Sequence, residues 1–381
     1  MDIRLHPLSD PARLEADWQA LQGRADHGFF TSWAWVGTWL RHLPAGVDVQ
    51  VLEARDGGEI QGLGLLTRGR ARVFKALSVP CWRLMNTGVT EVDDLVVEYN
   101  DVLVARHQGQ PLRQAMLQAL VQHSGMARLE LSHATPALAE AAAQLPRAIC
   151  RQPTDITCHA VDLQAVRDAG DAGYLSLLSA NTRAQTRRSL NAYAKLGALR
   201  CDVAADAQQG LAWLDELKAL HTATWDERGE ASSFAHSAFA DRFHRDLLGQ
   251  HLASGGTQLL RLSAGGHTLG FLYTFVCQGQ VLYYQSGFRY GLLPKHDKPG
   301  VACHVLAVEH YARQGLREYN FMGGQYRYKA SLATHSDTLQ TLVLFPRLSL
   351  SHADAGLRQL KRSWQGVRPP AHTPAPPAQG A

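Results

Sequence analysis

The sequence predicts an α/β (α+β) protein built from two tandem units, each a mixed, mostly antiparallel sheet flanked by helices. The 381 residues are enough for two domains with separate cores, and an apolar content of 45% indicates a packed protein. A hairpin pattern occurs twice, since residues 49–62 align without gaps with residues 257–270 and share Gly-Gly turns. Gly-Gly turns are common in unrelated hairpins, but three further identities favour a duplicated domain: Gln50/Gln258, Leu52/Leu260 and Gly62/Gly270.

The first half begins with helical patterns. Residues 8–24 are predicted to form a helix with Ser9 or Asp10 as N-cap and Pro11 at its first position. Further helices are predicted over residues 32–42, 110–123 and 136–144. The segments 49–54 and 60–67 form the hairpin around residues 55–59, 128–131 form a short strand, and 152–163 form a strand that leads out of the first domain.

The second half continues with a predicted long helix over residues 171–197 and amphipathic helices over 213–228 and 237–252. From Thr257 the pattern is strand, Gly-Gly turn, strand, strand, a Lys/Pro/Gly loop, a helix over about 301–314 and a last strand. We expect domains at 1–165 and 166–350. The tail 351–381 is expected to be disordered from about residue 368, where five prolines occur.

Composition excludes several classes of protein. The net charge of +4 does not by itself indicate a nucleic-acid partner. The six cysteines form no C-x-x-C pair, so no metal site is expected. The sequence contains no G-x-S-x-G, Walker A, H-E-x-x-H or dinucleotide-binding glycine motif. No signal peptide or apolar run of membrane-spanning length is present, so we expect a cytoplasmic protein without a membrane span.

The loop from Tyr290 to Gly300 has the features of an anion site. Gly300 lets a ligand approach the backbone, and the first turn of the following helix presents unpaired N–H groups at Val301. The helix dipole and Lys295 and Lys298 favour a phosphate. An ordinary solvated loop before a helix is the alternative, since Pro299 and Gly300 are common at helix starts.

The strand over residues 282–288 can line a substrate channel with one of its faces. Simple alternation puts Tyr283 and Gln285 on one face and Tyr284 and Ser286 on the other. For a lone strand, half-buried aromatic pairs across a sheet are the simpler interpretation.

The third candidate segment is residues 318–329, where Gly323 and Gly324 end a strand. Tyr328 or Tyr326 can donate a proton to a leaving thiolate, and Lys329 can hold a carboxylate or phosphate. A surface loop with packed aromatic rings is the alternative. No Asp or Glu of this segment is an obvious general base.

Taken in order, these segments resemble a known family. Residues from about 180 to 345 resemble the GNAT-type acyltransferase domain of the cellulose-biosynthesis acetyltransferase-like (CelD/BcsL) proteins. The first half, with 30–33 and 62–66, is similar to the N-terminal region of that family. The matching pieces of the second half are the Arg-rich helix 181–190, His221-x-x-x-Trp225-x-x-Arg228-Gly229, the hairpin 259–275, Tyr284–Phe288, Pro299-Gly300, and Gly315 followed by Tyr319–Gly323 and Tyr328-Lys329.

The resemblance implies two GNAT-like units, distantly related to FemAB-type aminoacyl transferases, and acetyl-CoA or another acyl-CoA as donor. From the resemblance together with the residue patterns above, we expect a catalytic group of Tyr328, Tyr326, Lys329 and Tyr284. The resemblance implies a donor site of Gln285, Ser286, Lys295, Lys298, Pro299, Gly300 and Val301, and an acceptor site of Arg183, Arg187, Trp225, Arg228 and Asn320. Two positions depart from the family, because Arg289 and Asn320 stand where an acidic residue is often found.

We therefore expect an acyltransferase that moves an acyl group from coenzyme A to an amine or hydroxyl of a sugar, polysaccharide precursor or small metabolite. One alternative is a FemAB-like transferase that uses aminoacyl-tRNA, with Arg183, Arg187 and Arg188 along the phosphate backbone. The other is a non-catalytic binding module on a GNAT fold, which the missing carboxylates favour.

Overall fold

The computed structural model describes residues 1–74, 76–123, 126–146, 148–226, 234, 237–324, 326–346, 350, 353–354 and 357, without the side chains of residues 152 and 153. They group into a first unit, which holds Met1–Ile156 and the chain from Thr338, and a second unit, Thr157–Asp337. The boundary between Ile156 and Thr157 lies nine residues before the boundary expected at 165/166. The domain limits expected from the sequence stay a prediction. The tail beyond residue 357, including the part expected to be disordered, lies outside the described residues.

The first unit has helices and strands in alternation. Its strands are β1 (Asp2–Pro7), β2 (Asp48–Asp56), β3 (Glu59–Val73), β4 (Leu77–Leu84), β5 (Leu103–Val104), β6 (Arg128–Ala134) and the first part of β7 (Ala148–Asp162), with β13 (His335–Pro346) from Thr338 onward. Its helices are α1 (Pro11–Gln22), α2 (Trp33–His42), α3 (Thr90–Asp93), α4 (Gly109–Gln122) and α5 (Pro136–Ala143). Its core lies between the sheet and α4 and α5, and includes Leu66, Trp82, Met116 and Leu129.

The second unit has the remaining elements. Its helices are α6 (Leu163–Asp168), α7 (Ala180–Ala194), α8 (Ala207–Asp226), α9 (Ala238–His251), α10 (Pro299–Arg313) and α11 (Arg327–Leu332). Its strands, besides the end of β7, are β8 (Leu199–Val203), β9 (Thr257–Ala264), β10 (His267–Cys277), β11 (Gln280–Phe288) and β12 (Glu318–Gly323). Apolar side chains of α10, such as Val305 and Val308, pack with Leu272 and Val281 to form its core.

The two units repeat one topology. The first runs β1-β2-β3-β4-β6-β13 and the second runs β8-β9-β10-β11-β12-β7. In each, the fourth and fifth strands are parallel and the other neighbouring pairs are antiparallel. This agreement confirms the predicted fold class of two tandem units.

The predicted hairpin repeat also has the same geometry in both units. Ala54 pairs with Gly62 in the first hairpin, and Leu262 pairs with Gly270 in the second. The turn glycines have φ of 56° and 88° at Gly57-Gly58 and of 54° and 87° at Gly265-Gly266. Both central residues of each turn need positive φ, which glycine adopts without strain and which suits the twist of a hairpin.

The structure corrects the helix expected over residues 171–197. Only α7 is α-helical there, and it begins at Ala180, where the Ser179 hydroxyl accepts from Thr182 N. The preceding residues form two 3₁₀ turns, Gly170–Ala172 and Tyr174–Leu177, separated by Gly173 with φ of 64°. A positive φ interrupts a helix, and the Ser179 cap restarts it. Strands β1, β4, β5, β8 and β13 were absent from the prediction.

In the part of the chain that the structure describes, no helix is both long and apolar enough to cross a membrane. The same residues contain no group of three or more His, Cys, Asp or Glu side chains that could hold a metal ion.

Candidate active site

A fork opens between the parallel strands β11 and β12 of the second unit. They pair only through Gln280–Leu282 of β11 and Glu318–Asn320 of β12, and among the described residues no further pairing joins them. Because β11 continues to Phe288 and β12 to Gly323, the later part of β11 has an edge that no strand of the described chain covers on this side. Such an edge can accept an extended ligand as a further strand.

A β-bulge in β11 lies at the start of the fork. Gln285 pairs with Tyr273 and Tyr283 with Thr274, so Tyr284 is the additional residue. A bulge reverses the alternation of faces that follows it. The predicted faces are therefore wrong at this point: Tyr283 and Ser286 lie on the same side, with Tyr283 Oη and Ser286 Oγ 2.6 Å apart.

The phenol of Tyr328 lies on that same side. It lies close enough to Tyr283 for each phenol to shift the pKa of the other, and Tyr283 is hydrogen-bonded to Ser286, which gives a connected series of Tyr328, Tyr283 and Ser286. Burial, and then the neighbouring Tyr283, raises the pKa of Tyr328 well above its ordinary value. Burial also raises the pKa of Tyr283 to about 12. Both phenols are therefore protonated near neutral pH, the state that a proton donor needs.

His304 of α10 lies beneath these tyrosines. Its ring is stacked on Tyr328 with centroids 5.6 Å apart, and its centroid lies 4.6 Å from that of Tyr283. His304 Nδ1 is 2.9 Å from Tyr319 Oη. Burial, followed by the charge of Lys329, lowers the pKa of His304 to about 3, so its imidazole is neutral at pH 7. The sequence interpretation did not single out His304 or assign a role to Tyr283, because nothing local marks their contact with Tyr328.

Lys329 directs its ammonium group to the end of β12. Its side chain is only 5% exposed, and Nζ donates to Gly323 O at 2.6 Å and lies 3.4 Å from Met322 O. The ammonium also lies 5.8 Å from the ring of Tyr283 and 5.5 Å from that of Tyr326. The structure thus brings three predicted catalytic residues together: Tyr328, Lys329 and Tyr326, although the Tyr326 side chain is 46% exposed.

The predicted donor site lies at the start of α10. Pro299 occupies the first turn, and Lys298, the N-cap residue, makes no side-chain cap. The phenyl ring of Phe288, at the end of β11, would lie 3.1 Å from a Cβ at Gly300, so glycine allows this close approach. The first-turn N–H groups of Gly300 and Val301 are uncapped by a side chain, which is the arrangement that binds anions at helix starts.

Helix α8 packs on the other side of β11. His221 Nδ1 is 2.8 Å from Ser286 O, and the ring of Trp225 is 5.5 Å from that of His221. The predicted catalytic residue Tyr284 points to this side, where its ring lies 5.0 Å from His244 of α9. Tyr284 is therefore on the face opposite Tyr328, the α8 side that also carries the predicted acceptor residue Trp225.

The remaining predicted residues are spread around the fork. Asn320 is completely buried, and its Oδ1 accepts from Met322 N at 2.7 Å, which supports the positive φ of 59° at Met322. Gln285 is half-buried on β11, Lys295 is exposed, and Arg183 and Arg187 lie on α7. Arg228 lies outside the described residues. The roles assigned to all of these positions stay predictions.

The equivalent fork of the first unit is closed by its own chain. The pairing of β4 with β6 also covers only three residues, Cys81–Arg83. Gly62 pairs with Val104 as Gly270 pairs with Phe288, so Asn100 is the residue equivalent to Tyr284. The backbone of Asn100 donates its N–H to His133 O at 3.0 Å, and its carbonyl accepts from Thr135 N at 3.0 Å. The equivalent edge for a ligand is therefore occupied in the first unit.

Comparison with known proteins agrees with this geometry. Residues 180–330 match the family model of the acetyltransferase (GNAT) domain. No curated protein matches the chain.

Several solved structures are similar to the whole chain. The C-terminal domain (DUF2156) of a protein assigned as a lysylphosphatidylglycerol synthetase from Agrobacterium fabrum is 15% identical, with a TM-score of 0.54 over 94% of this chain and 99% of that chain. L-PGS from Bacillus licheniformis is 11% identical, with a TM-score of 0.49 over 91% and 95% of the two chains. A tandem GNAT protein from the clavulanic acid biosynthesis pathway is 13% identical, with a TM-score of 0.44 over 91% and 98%.

At these identities the first structure, whose TM-score exceeds 0.5, is informative about the fold alone. The matched residues 180–330 contain α7, the fork, the start of α10 and the tyrosine series. The second unit therefore has the fold of a GNAT-type acyltransferase domain.

Proposed function

We propose that this protein is an acyl-CoA-dependent N- or O-acyltransferase. Acetyl-CoA is the donor, and an amine or hydroxyl of a sugar, polysaccharide precursor or small metabolite is the acceptor. The observation that carries this proposal is the fork between β11 and β12, which leads to the uncapped start of α10. A ligand with an extended amide-containing arm and a terminal anion suits both features, and coenzyme A has both.

In this proposal the pantetheine arm lies along the open edge of β11, where its amides pair with the backbone as an added strand would. The pyrophosphate lies at the first turn of α10, near Lys295 and Lys298. Backbone N–H groups near Tyr284–Ser286 polarise the thioester carbonyl, and such preorganised donors favour the oxyanion that forms during acyl transfer.

The reaction is a direct attack within a ternary complex. The acceptor nitrogen or oxygen forms a bond to the carbonyl carbon, and the carbon–sulfur bond breaks. Tyr328 donates its proton to the departing thiolate, the acceptor loses its own proton to water, and the Tyr328 phenolate takes a proton back from water. Much of the rate then comes from holding the acceptor next to the thioester, since proximity alone can lower a barrier by roughly 7–11 kcal/mol.

The acceptor side of the proposal rests on α8 and on the resemblance to the cellulose-biosynthesis acetyltransferase-like proteins. Trp225 and Tyr284 lie on the face of β11 opposite Tyr328, so an acceptor can approach the thioester from the side away from the acid. Asn320 and Arg228 stay acceptor-site predictions of the resemblance. A saccharide acceptor and a cytoplasmic location are part of the same proposal.

The test combines binding and turnover. Calorimetric titration with acetyl-CoA is expected to show binding, and release of free thiol is expected with at least one member of a panel of amines and sugars. Folded protein that fails to bind acetyl-CoA at millimolar concentration would overturn the proposal. Binding without turnover across the panel would instead support a non-catalytic module on this fold.

A further inference from the structure

The positive charge of this protein is concentrated in two short segments of the second unit. The first segment is residues 180–195, which form α7 and its C-cap, and the second is the loop 289–298. Together they contain seven Lys or Arg and one Asp, a net charge of +6, whereas the whole chain carries +4. The rest of the chain is therefore slightly acidic. The cations are Arg183, Arg187, Arg188, Lys195, Arg289, Lys295 and Lys298. We refer to these seven side chains as the α7 basic surface.

The fold holds the two segments against each other. The buried hydroxyl of Ser189 donates to His296 O at 2.9 Å, and the Tyr193 hydroxyl lies 2.5 Å from Asp297 Oδ1. Lys298 Nζ donates to Gln185 Oε1 at 3.1 Å. The other oxygen of Asp297 accepts from Gly291 N at 2.5 Å. The loop is therefore fixed on α7, and cations about 100 residues apart in sequence share one surface.

None of the seven cations is paired with a carboxylate among the described residues. Arg183 and Arg188 donate only to backbone carbonyls, those of Ser176 and Ala184. By contrast, eleven other Lys or Arg side chains of the described chain form ion pairs, including Arg113 with Asp101 and Lys218 with Asp241. Concentrated like charge without counter-charge opposes folding, so its position next to a ligand site indicates an anionic partner.

We infer that the α7 basic surface binds the 3′-phosphate on the ribose of coenzyme A, a phosphate monoester separate from the pyrophosphate. The inference rests on the proposed function, because it assigns a second anion subsite to the same donor. The loop of this surface ends at Lys298, and α10 begins at the next residue. A pyrophosphate at the start of α10 therefore places the adjoining ribose beside α7.

The residue types fit a phosphate monoester. Arg187 and Arg188 are exposed, and a guanidinium group can give a phosphate two parallel hydrogen bonds. Arg183 lies one helical turn before Arg187 on the same flank of α7, so this inference moves both residues from the predicted acceptor site to the donor site. Near neutral pH a phosphate monoester carries up to two negative charges, more than any single diester group of a nucleic acid.

The experiment compares coenzyme A with 3′-dephospho-coenzyme A by calorimetric titration at low salt. Wild-type protein is expected to bind coenzyme A about tenfold or more tightly, as one or two charge-assisted hydrogen bonds would give. The double variant Arg187→Glu/Arg188→Glu is expected to lose this discrimination while its affinity for dephospho-coenzyme A changes by about threefold or less, since only the screened long-range charge is altered there. Both side chains are exposed, so the variant is expected to fold, which circular dichroism checks.

The matched control is Arg242→Glu, another exposed helical arginine of the second unit, on α9. It is expected to keep the full discrimination. Equal binding of both ligands by wild-type protein overturns the inference but leaves the proposed function intact. Binding of neither ligand overturns the proposed function as well. A low-salt complex with tRNA that the double variant loses, without discrimination between the coenzymes, overturns the inference and assigns the surface to a polynucleotide.

Discussion

Replacing Gly287 by alanine tests whether α8 must lie directly against β11 beside the fork. A Cβ at Gly287 would lie 2.2 Å from the carbonyl oxygen of Leu217 on α8, whereas ordinary contacts begin at 3.4 Å. The obstacle is backbone rather than a flexible side chain. Helix α8 must therefore move away from β11 by about 1.2 Å, the difference between these two distances.

The energetic cost follows from that displacement. A shift of this size lengthens the 2.8 Å contact between His221 Nδ1 and Ser286 O to about 4 Å, beyond hydrogen-bonding distance. Loss of the hydrogen bond costs about 0.5–1.5 kcal/mol, and overpacking adds about 1–3 kcal/mol. We expect Gly287→Ala to lower the free energy of unfolding by about 2–4 kcal/mol, a large part of the stability of an ordinary domain.

The assay is urea unfolding followed by tryptophan fluorescence, with acetyl-CoA affinity measured on the folded variant. The matched control is Gly249→Ala on α9, where a Cβ would meet nothing within 4 Å and φ is not in the positive range. Alanine is the better helix former, so this control is expected to gain about 0.5–1 kcal/mol. An unchanged free energy of unfolding and acetyl-CoA affinity for Gly287→Ala would refute the reasoning.

Three further predictions concern the site. Tyr328→Phe is expected to lower kcat by about 10²- to 10⁴-fold with little change in acetyl-CoA affinity, and a larger loss in Tyr326→Phe by the same thiol-release assay would reassign the acid to Tyr326. Lys329→Met removes the buried 2.6 Å hydrogen bond from the ammonium to Gly323 O, so the free energy of unfolding is expected to fall by about 1–3 kcal/mol, and urea curves that match wild type would contradict this. Burial lowers the pKa of His304 and of His244 from the ordinary 6.5 to about 3. As the pH falls below 6.5, these histidines are protonated in the unfolded chain but not in the folded protein, so the free energy of unfolding decreases. Each histidine is expected to contribute about 2 kcal/mol of this fall between pH 7 and pH 5, and His244→Phe should show a fall about 2 kcal/mol smaller than wild type in urea titrations at the two pH values.

Features that depend on neighbouring residues were predictable from the sequence. The Gly-Gly turns of both hairpins and the repeat that they mark were confirmed, because turn chemistry is decided by adjacent φ angles. Pro11 begins α1 as predicted, and α10 begins at Pro299, two residues before its predicted start, in line with the preference of proline for the first turn. The anion site predicted at the start of α10, with its lysines and glycine, rests on the same kind of local pattern and stays a prediction.

Tertiary structure decided how those pieces combine. The bulge at Tyr284 depends on the pairing of β11 with β10, and it moves Ser286 to the face of Tyr283. The series of Tyr328, Tyr283 and Ser286 joins α11 to β11, and no local pattern encodes a contact over that separation. Likewise, the open fork of the second unit and the fork closed by Asn100 in the first have the same parallel pairing over three residues. They differ because hydrogen bonds between distant backbone groups determine which edge is left for a ligand.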